Sequence, residues 1–192
     1  MTEKIILASQ SPRRKQLLQW AKVPFDVLVS DADESYPPGL PAEAVAVFIA
    51  KNKAVAVNGL LQESNDGAKI IIAADTIVVL KDEIIGKPKD REDAIAILKK
   101  LSGQKHKVIT GVVILSGEKE IAFADVTEVA FHELTDEQLS FYVDKYQPYD
   151  KAGAYAIQEW IGVVGIKSIS GDFYNVMGLP VSRVVQELQN FV

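Results

Sequence analysis

The sequence contains no cysteine, and its histidines are His106 and His132 alone. The lack of cysteine excludes disulfide bonds, thiolate nucleophiles and zinc sites built from cysteine. A pair of histidines is too few for a multi-histidine metal site, so any metal would be a hard ion such as Mg²⁺ or Mn²⁺ held by carboxylates. We expect both histidines to lie on strand surfaces, outside the chemistry.

Positive charge is in the minority. The 192 residues carry 21 Lys and Arg against 26 Asp and Glu, a net charge of −5, which argues against nonspecific binding to nucleic acid or to an anionic membrane. No apolar run reaches the length of a membrane span, and there is no signal-peptide core, so we expect a cytoplasmic protein. With 48% hydrophobic and 24% charged residues, the composition is that of a globular protein, and the length suffices for one substantial core or for two closely joined lobes. We expect either arrangement to form a single domain over residues 1–192.

The common nucleotide-binding fingerprints are also missing. There is no Gly-x-x-x-x-Gly-Lys-Ser/Thr loop and no Gly-x-Gly-x-x-Gly turn in the chain. Their absence argues against a P-loop nucleotide hydrolase and against a dinucleotide-dependent oxidoreductase of the usual kind.

Hydrophobic periodicity alternates between strand and helix patterns, which predicts an α/β fold with a mixed sheet. Strands are predicted at Ile5–Ala8, Phe25–Val29, Lys69–Leu80, Glu83–Ile85, Lys105–Leu115, Lys119–Phe131 and Ile161–Ile169. Helices are predicted from Pro12, over Ala42–Val57 with an end at Gly59 or a further turn to Leu61, from Asp90, over Thr135–Lys145 and from Pro180. A turn or short helix is predicted near Asp172–Met177. A polar loop is predicted at Gln62–Gly67.

The first helix begins with unusual electrostatics. Ser11 and Pro12 form a helix start, and the cations Arg13–Lys15 fill its first turn. A cation there is disfavoured by about 0.3–1 kcal/mol. An anion held by backbone N–H groups, Ser9, Ser11 and an arginine would remove that penalty. The alternative is a solvated basic patch.

Asp75 interrupts an otherwise apolar strand. Ala73 and Ala74 precede it, and Ile77–Val79 follow. Burying an unpaired carboxylate would cost several kcal/mol, so Asp75 must be paired, bound to a metal or exposed at the floor of a cleft. The small alanines would let a ligand approach. The alternative is a bulge or a structural salt bridge.

Three other charged residues could belong to the same site as Asp75. Glu34 lies in an acidic loop, Lys53 on the following helix, and Lys87 in a Gly-Lys-Pro turn. Each alone reads as a solvated surface charge. Together with the arginine-bearing turn, they supply the carboxylates and cations that metal-assisted phosphoryl chemistry requires.

The stretch Asp150–Gln158 runs from charged residues through small ones into a glutamine flanked by apolar side chains. The amide of Gln158 both donates and accepts, so it could pair with the edge of a base. The alternative is that Gly153 and the alanines simply pack tightly.

Read in order, these motifs resemble the Maf family of nucleoside triphosphate pyrophosphatases, from Ile5 to about Leu188. The motifs that carry the resemblance are Ala8-Ser-Gln-Ser-Pro-Arg-Arg14, Ala74-Asp-Thr-Ile-Val78, Gly86-Lys-Pro88, Asp150-Lys-Ala-Gly-Ala-Tyr155 with Ile157-Gln158, and Gly178-Leu-Pro180. The resemblance implies a mixed, curved central sheet with flanking helices in two lobes around a cleft, as in inosine triphosphate pyrophosphatase. It also implies a cytoplasmic, divalent-metal-dependent house-cleaning enzyme that cleaves between the α- and β-phosphates, and a homodimer.

Carried over position by position, the resemblance makes Asp75 the proton acceptor. The positions that would set base specificity are Arg13, Thr76 and Gln158. The phosphate-binding positions would be Ser9, Arg14, Lys53, Lys87 and Lys151, to which the helix-start argument adds Ser11. The metal ligands would be Glu34 and Asp75.

The Asp150–Tyr155 motif with Gln158 resembles the branch acting on dTTP and UTP, rather than the 7-methyl-GTP branch. The chain departs from the family pattern at Ala156 and at Glu159-Trp160, where glycine is expected at 156 and just after the glutamine. One alternative function is a nucleotide-binding regulator of cell division, to which Asp75 and Lys87 would be unnecessary. Another is a pyrophosphatase for a modified or purine nucleotide, against which Gln158 argues.

Overall fold

The computed structural model describes residues 5–64 and 69–191. The strands are β1 (Ile5–Leu7), β2 (Phe25–Val27), β3 (Ile71–Leu80), β4 (Glu83–Ile85), β5 (Lys105–Ser116), β6 (Lys119–Phe131) and β7 (Ile166–Ser170). The helices are α1 (Pro12–Trp20), α2 (Ala42–Glu63), α3 (Arg91–Leu101), α4 (Asp136–Tyr146), α5 (Trp160–Gly165), α6 (Phe173–Met177) and α7 (Val181–Leu188), with 3-10 helices at Ala152–Ala154 and Gln189–Phe191.

The strands form a seven-stranded sheet in the order β2-β1-β3-β5-β6-β7, with β4 paired to β3 off this path. Strand β1 pairs in parallel with β2 and β3, whereas β3–β4 and β6–β7 are antiparallel. Helices α1 and α2 connect the parallel strands, because a parallel pair needs a long crossover. The predicted α/β class with a mixed sheet and flanking helices is confirmed.

The chain divides into two compact units, each assembled from separate segments. The first unit comprises Met1–Asp75, Thr110–Asp125 and Gly178–Val192, and the second comprises Thr76–Ile109 and Val126–Met177. Strands β3, β5 and β6 contribute residues to both.

Most helix starts follow the signals in the sequence. The Ser11 hydroxyl accepts from the Arg14 N–H, and the Asp90 carboxylate accepts from the Asp93 N–H. Thr135 and Gln138 exchange both bonds of a capping box at the start of α4. Helix α2 continues past both predicted ends to Glu63, so the predicted loop Gln62–Gly67 begins in helix, and its residues 65–67 lie outside the described residues.

The predicted strand Ile161–Ile169 is wrong over its first half, where the structure has helix α5. A Cβ added at Gly162 would lie 1.7 Å from the carbonyl oxygen of Ile157, so the backbone doubles back closely here. The Gly162 N–H donates to the carbonyl of Glu159 at 2.9 Å, a turn bond that an extended strand lacks. The β-branched residues that follow favour a strand by composition, but tertiary context overrides that preference.

The core of the first unit lies between α2 and strands β1, β3 and β5. Its apolar cluster comprises Ile6, Ala8, Ala50, Ala54, Val57, Leu61, Ile71, Ala73, Val113 and Leu115. Gly111 of β5 permits close contact with the helix, because a Cβ there would lie 2.3 Å from backbone atoms of Ala46 and Val47. The sequence has no continuous apolar run of membrane-spanning length. Among the described helices, α2 alone is long enough, and apolar enough on average, to cross a membrane. Its buried face belongs to this core cluster.

The second unit contains an aromatic cluster around His106. The ring of His106 meets those of Phe131 and Tyr155 edge-on, with centroids 5.1 and 5.5 Å apart. The expectation of a surface position is wrong for this histidine, which is 2% exposed, because its ring replaces an apolar side chain on the inner face of β5. His106 Nε2 lies 2.7 Å from Tyr155 Oη, and Nδ1 has no hydrogen-bond partner among the described residues. His132 is exposed just past β6.

Gly111→Ala should destabilise the protein, because its Cβ would collide with the backbone of α2. We expect a loss of about 1–3 kcal/mol in the free energy of unfolding, measured by urea denaturation. Gly59→Ala is the matched control, since nothing lies within 4 Å of a Cβ at this position in α2. That control should gain roughly 0.5–1 kcal/mol, and equal stabilities for the two variants would contradict the packing described.

His106 should make stability depend on pH. Burial lowers the pKa of His106 to about 4, from 6.5. The unfolded chain therefore binds more protons between these values, and stability should fall as the pH falls through this window. At pH 5 the loss is about 2 kcal/mol relative to neutral pH.

The measurement is urea unfolding at pH 7 and pH 5 for the wild type, His106→Gln and His132→Gln. Removing His106 should reduce the difference between the two pH values by that amount. The exposed His132 provides the control. An unchanged pH dependence in His106→Gln would contradict the assignment.

Candidate active site

The start of α1 holds Arg14 inside the first unit. Ser11 caps the helix and Pro12 occupies its first position, as predicted. The Arg14 side chain donates from Nε to the Gly178 carbonyl at 2.7 Å and from Nη1 to Ser9 Oγ at 3.1 Å. The same hydroxyl accepts from the Ser11 N–H at 3.3 Å. The Gly-Leu-Pro motif thus supplies a carbonyl that fixes the guanidinium, a contact between distant residues that no sequence signal indicates.

Arg14 is a buried cation, 9% exposed. Burial lowers the pKa of its guanidinium, the charge of Asp75 is the strongest influence in the opposite direction, and Arg13 lowers the pKa further. Glu34 adds a smaller raising effect. A buried cation carries a desolvation cost that an added anion would offset. The arrangement suits the anion site predicted from the sequence.

Asp75, Lys53 and Glu34 form a second part of the same unit. Lys53 Nζ lies 2.7 Å from Asp75 Oδ1 and 2.7 Å from Glu34 Oε1. The Asp75 and Lys53 side chains are 16% and 18% exposed, and that of Glu34 is 52% exposed. The carboxylate in the apolar strand is therefore paired, as its position requires. An ion pair of this kind fits both a ligand site and the salt bridge that the sequence left open.

The loop that carries Glu34 is held by local hydrogen bonds. The Asp33 carboxylate accepts from the Ser35 N–H at 2.8 Å and from Ser35 Oγ at 2.6 Å. Asn52 Nδ2 donates to the Asp33 carbonyl at 3.4 Å, one residue before Lys53 on α2. Adjacent positions of α2 thus bind the loop backbone and the Glu34 carboxylate. Asp33, Ser35 and Asn52 were missed by sequence reasoning, although an Asp-x-Ser turn is a readable signal.

Two carboxylates here suit a divalent ion. Within residues 5–64 and 69–191, no group of three or more His, Asp or Glu side chains is arranged to hold a metal. Asp75 and Glu34 nevertheless share one cation, the Lys53 ammonium, so an oxygen of each faces the same point. Mg²⁺ in nucleotide sites commonly takes one or two protein carboxylates, with phosphate oxygens and water completing the shell. The donor set fits that pattern.

In the second unit, the main chain joins the motifs that carry Lys87 and Lys151. The Gly153 N–H donates to the Gly86 carbonyl at 3.1 Å. Gly153 has φ +71°, and a Cβ there would lie 2.9 Å from Val78 Cγ2, so both conformation and packing require glycine. The tight packing that the sequence left as an alternative is present, and it fixes the two lysine-bearing motifs against each other.

Exposure differs among the remaining predicted site residues. Lys151 is 9% exposed, and its Nζ lies 2.7 Å from Asp150 Oδ1 and 3.8 Å from Glu159 Oε1. Lys87 and Gln158 are exposed, while Thr76 and Arg13 are half-buried. Ser9, Ser11, Arg13, Arg14, Glu34, Lys53 and Asp75 belong to the first unit, and Thr76, Lys87, Lys151 and Gln158 to the second.

The chain is similar to known proteins over nearly its whole length. The chain matches the Maf-like protein family over residues 4–191. It is 47% identical over 189 residues to a dTTP/UTP pyrophosphatase of Parabacteroides distasonis, covering 98% of this chain and 96% of that protein. It is 50% identical over 185 residues to a dTTP/UTP pyrophosphatase of Cytophaga hutchinsonii (96% and 83% covered), and 47% identical over 187 residues to one of Bacteroides fragilis (97% and 95% covered). The family predicted from the motifs is therefore confirmed, and the chain belongs to the Maf-like protein family.

Proposed function

We propose that this protein hydrolyses dTTP and UTP to the nucleoside monophosphate and pyrophosphate. The observation that carries the proposal is Asp75, a carboxylate in an apolar strand, held by Lys53 at 2.7 Å and under the electrostatic influence of the buried cation Arg14. A proton acceptor set among cations is what attack of water on a phosphate requires. The substrate class follows the names of relatives that are 46–50% identical over nearly the whole chain.

In this mechanism the Asp75 carboxylate accepts a proton from the water that attacks the α-phosphorus. Lys53 bonds Oδ1, which leaves Oδ2 to receive the proton. Arg14, held by Ser9 and by the Gly178 carbonyl, offsets charge on the phosphates and on the departing pyrophosphate. Neighbouring side chains on a helix project about 100° apart, so Arg13 and Arg14 need not share a role. The family resemblance assigns Arg13 to the base and Arg14 to phosphate.

Asp75 and Glu34 would hold the divalent ion that the family resemblance implies. When bound, a Mg²⁺ or Mn²⁺ ion supplies charge neutralisation for the triphosphate and orients it for in-line attack. Lys53 lies between the same carboxylates, and its flexible stem lets its ammonium turn toward phosphate oxygens instead.

The remaining predicted site residues complete the proposal. Lys87 and Lys151 act on the phosphate side, Ser11 contributes at the helix start, and Thr76 and Gln158 contact the base. A single catalytic domain over residues 1–192, a cytoplasmic location and a homodimer stay predictions.

The first test identifies products. The protein is incubated with Mg²⁺ and a panel of canonical and modified triphosphates, and pyrophosphate and orthophosphate are measured separately. We expect pyrophosphate from dTTP and UTP, because attack at the α-phosphorus releases the β- and γ-phosphates together. Orthophosphate release, or tight binding of these nucleotides without turnover, would overturn the proposal, and the second result would favour the nucleotide-binding regulator.

Asp75→Asn should lower kcat for dTTP by at least about 10²-fold, because the amide cannot accept the proton. Glu120→Gln is the matched control, because it removes a carboxylate that pairs with another lysine of α2. That lysine, Lys51, lies two positions before Lys53, and its Nζ is 2.9 Å from Glu120 Oε1. That control should keep wild-type kcat. Circular dichroism and thermal melting establish that both variants fold, and a folded Asp75→Asn with full activity would show that another group is the base.

A further inference from the structure

The segment that departs from the family motif contacts helix α4. The Ala156 N–H donates to Tyr142 Oη at 3.1 Å, and the Tyr142 hydroxyl donates to Glu159 Oε2. The ring of Trp160 meets that of Phe141 edge-on, with centroids 4.9 Å apart. The two residues after Gln158 that break the expected pattern thus contact consecutive side chains of α4.

The Tyr142 hydroxyl is the centre of this arrangement. Tyr142 is 0% exposed, so its hydroxyl depends on protein partners. It accepts from the main chain before Gln158 and donates to the side chain after it. Such a buried chain of hydrogen bonds fixes both ends of a short segment, since breaking either bond leaves a buried polar group unsatisfied.

Glu159 extends the network to Lys151. Its Oε1 lies 3.8 Å from Lys151 Nζ, while its Oε2 accepts from Tyr142. The other carboxylate on this lysine, that of Asp150, is 63% exposed, whereas the Glu159 side chain is 20% exposed. Solvent therefore screens the closer pair with Asp150, whereas the Glu159 carboxylate is mostly buried and is also held by Tyr142.

The main chain accommodates the departure at Ala156 without strain. In this stretch the positive φ angles are those of Gly153 and Ala154, so position 156 does not need the expected glycine. Ile157 is 4% exposed and Gln158 is exposed, so the glutamine projects from a segment that is anchored on both sides.

We infer that Glu159 and Tyr142 are positioning residues that orient Gln158 for discrimination between bases. This rests on the proposed function, in which Gln158 contacts the base. The Gln158 amide has one accepting and one donating end. An exposed amide of this kind distinguishes one base from another only if its orientation relative to the base edge is fixed. Glu159, which stands where the family pattern has glycine, fixes this orientation because its carboxylate accepts a hydrogen bond from the buried Tyr142 hydroxyl of α4.

The test compares affinities for non-hydrolysable α,β-methylene analogues of UTP and CTP, measured by calorimetry with Mg²⁺ present. Tyr142→Phe and Glu159→Ala should each lower the preference for the UTP analogue about tenfold, because each breaks the chain of bonds that holds Gln158. In Glu159→Gln, the preference for the UTP analogue should stay within about twofold of the wild-type value, since the amide oxygen still accepts from the Tyr142 hydroxyl. Asp144→Asn is the control on the outer face of α4, where Asp144 pairs with Arg91 at 2.6 Å.

A double-mutant cycle separates positioning from general destabilisation. Tyr142→Phe added to Gln158→Ala should not reduce the preference further, because both changes remove one discriminating contact. Additive losses, an unchanged preference in Tyr142→Phe and Glu159→Ala, or a wild type that does not distinguish the analogues would each overturn the inference. If Tyr142→Phe does not fold, Glu159→Ala replaces it in the cycle. Because the readout is binding, a wild type without turnover would refute the proposed function alone.

Discussion

The ammonium of Lys53, 2.7 Å from a carboxylate oxygen of both Asp75 and Glu34, is the interaction on which the candidate site depends. Without it, two negative charges would face each other, one of them in an apolar strand where an unpaired carboxylate is costly. The pair with Asp75 is mostly buried and therefore weakly screened, whereas Glu34 is half in solvent and contributes less. One cation thus makes a charged strand position compatible with a hydrophobic core.

That cation is held in place by apolar packing. Lys53 precedes Ala54 on α2, and Ala50, Ala54 and Val57 of the same helix belong to the core cluster. Helical periodicity places these small residues on one face, and Gly111 lets that face approach β5 closely. The distance between α2 and the sheet therefore sets the position of the Lys53 ammonium. Gly111 affects the electrostatics of the site indirectly, because it permits that short distance.

Local chemistry made much of the fold predictable, whereas contacts between distant segments were out of reach. The Thr135–Gln138 capping box and the apolar, β-branched composition of β3 are short-range signals, and both predicted the observed elements correctly. Helix α5 was missed because its geometry depends on the fit of Gly162 against the carbonyl of Ile157, which residue preferences do not encode. For the site, residue types indicated that Lys53 and Glu34 could act together with Asp75, but their spacing in the sequence could not show that they meet. The carbonyl of Gly178 and the hydroxyl of Tyr142 are common groups whose contacts appear only in the folded chain.

The balance of charge explains why the proposed chemistry joins metal and substrate at the same carboxylates. Arg14 and Lys53 carry two positive charges and Asp75 and Glu34 two negative ones, so the four groups sum to zero. A triphosphate brings about four negative charges, and the whole chain carries a net charge of −5, so this cluster alone gives a triphosphate little net attraction. Carboxylates in this position would weaken triphosphate binding unless they recruit further positive charge. In a triphosphate site, the role of Asp75 and Glu34 is therefore to bind cations. Lys53 is the cation that the chain itself contributes.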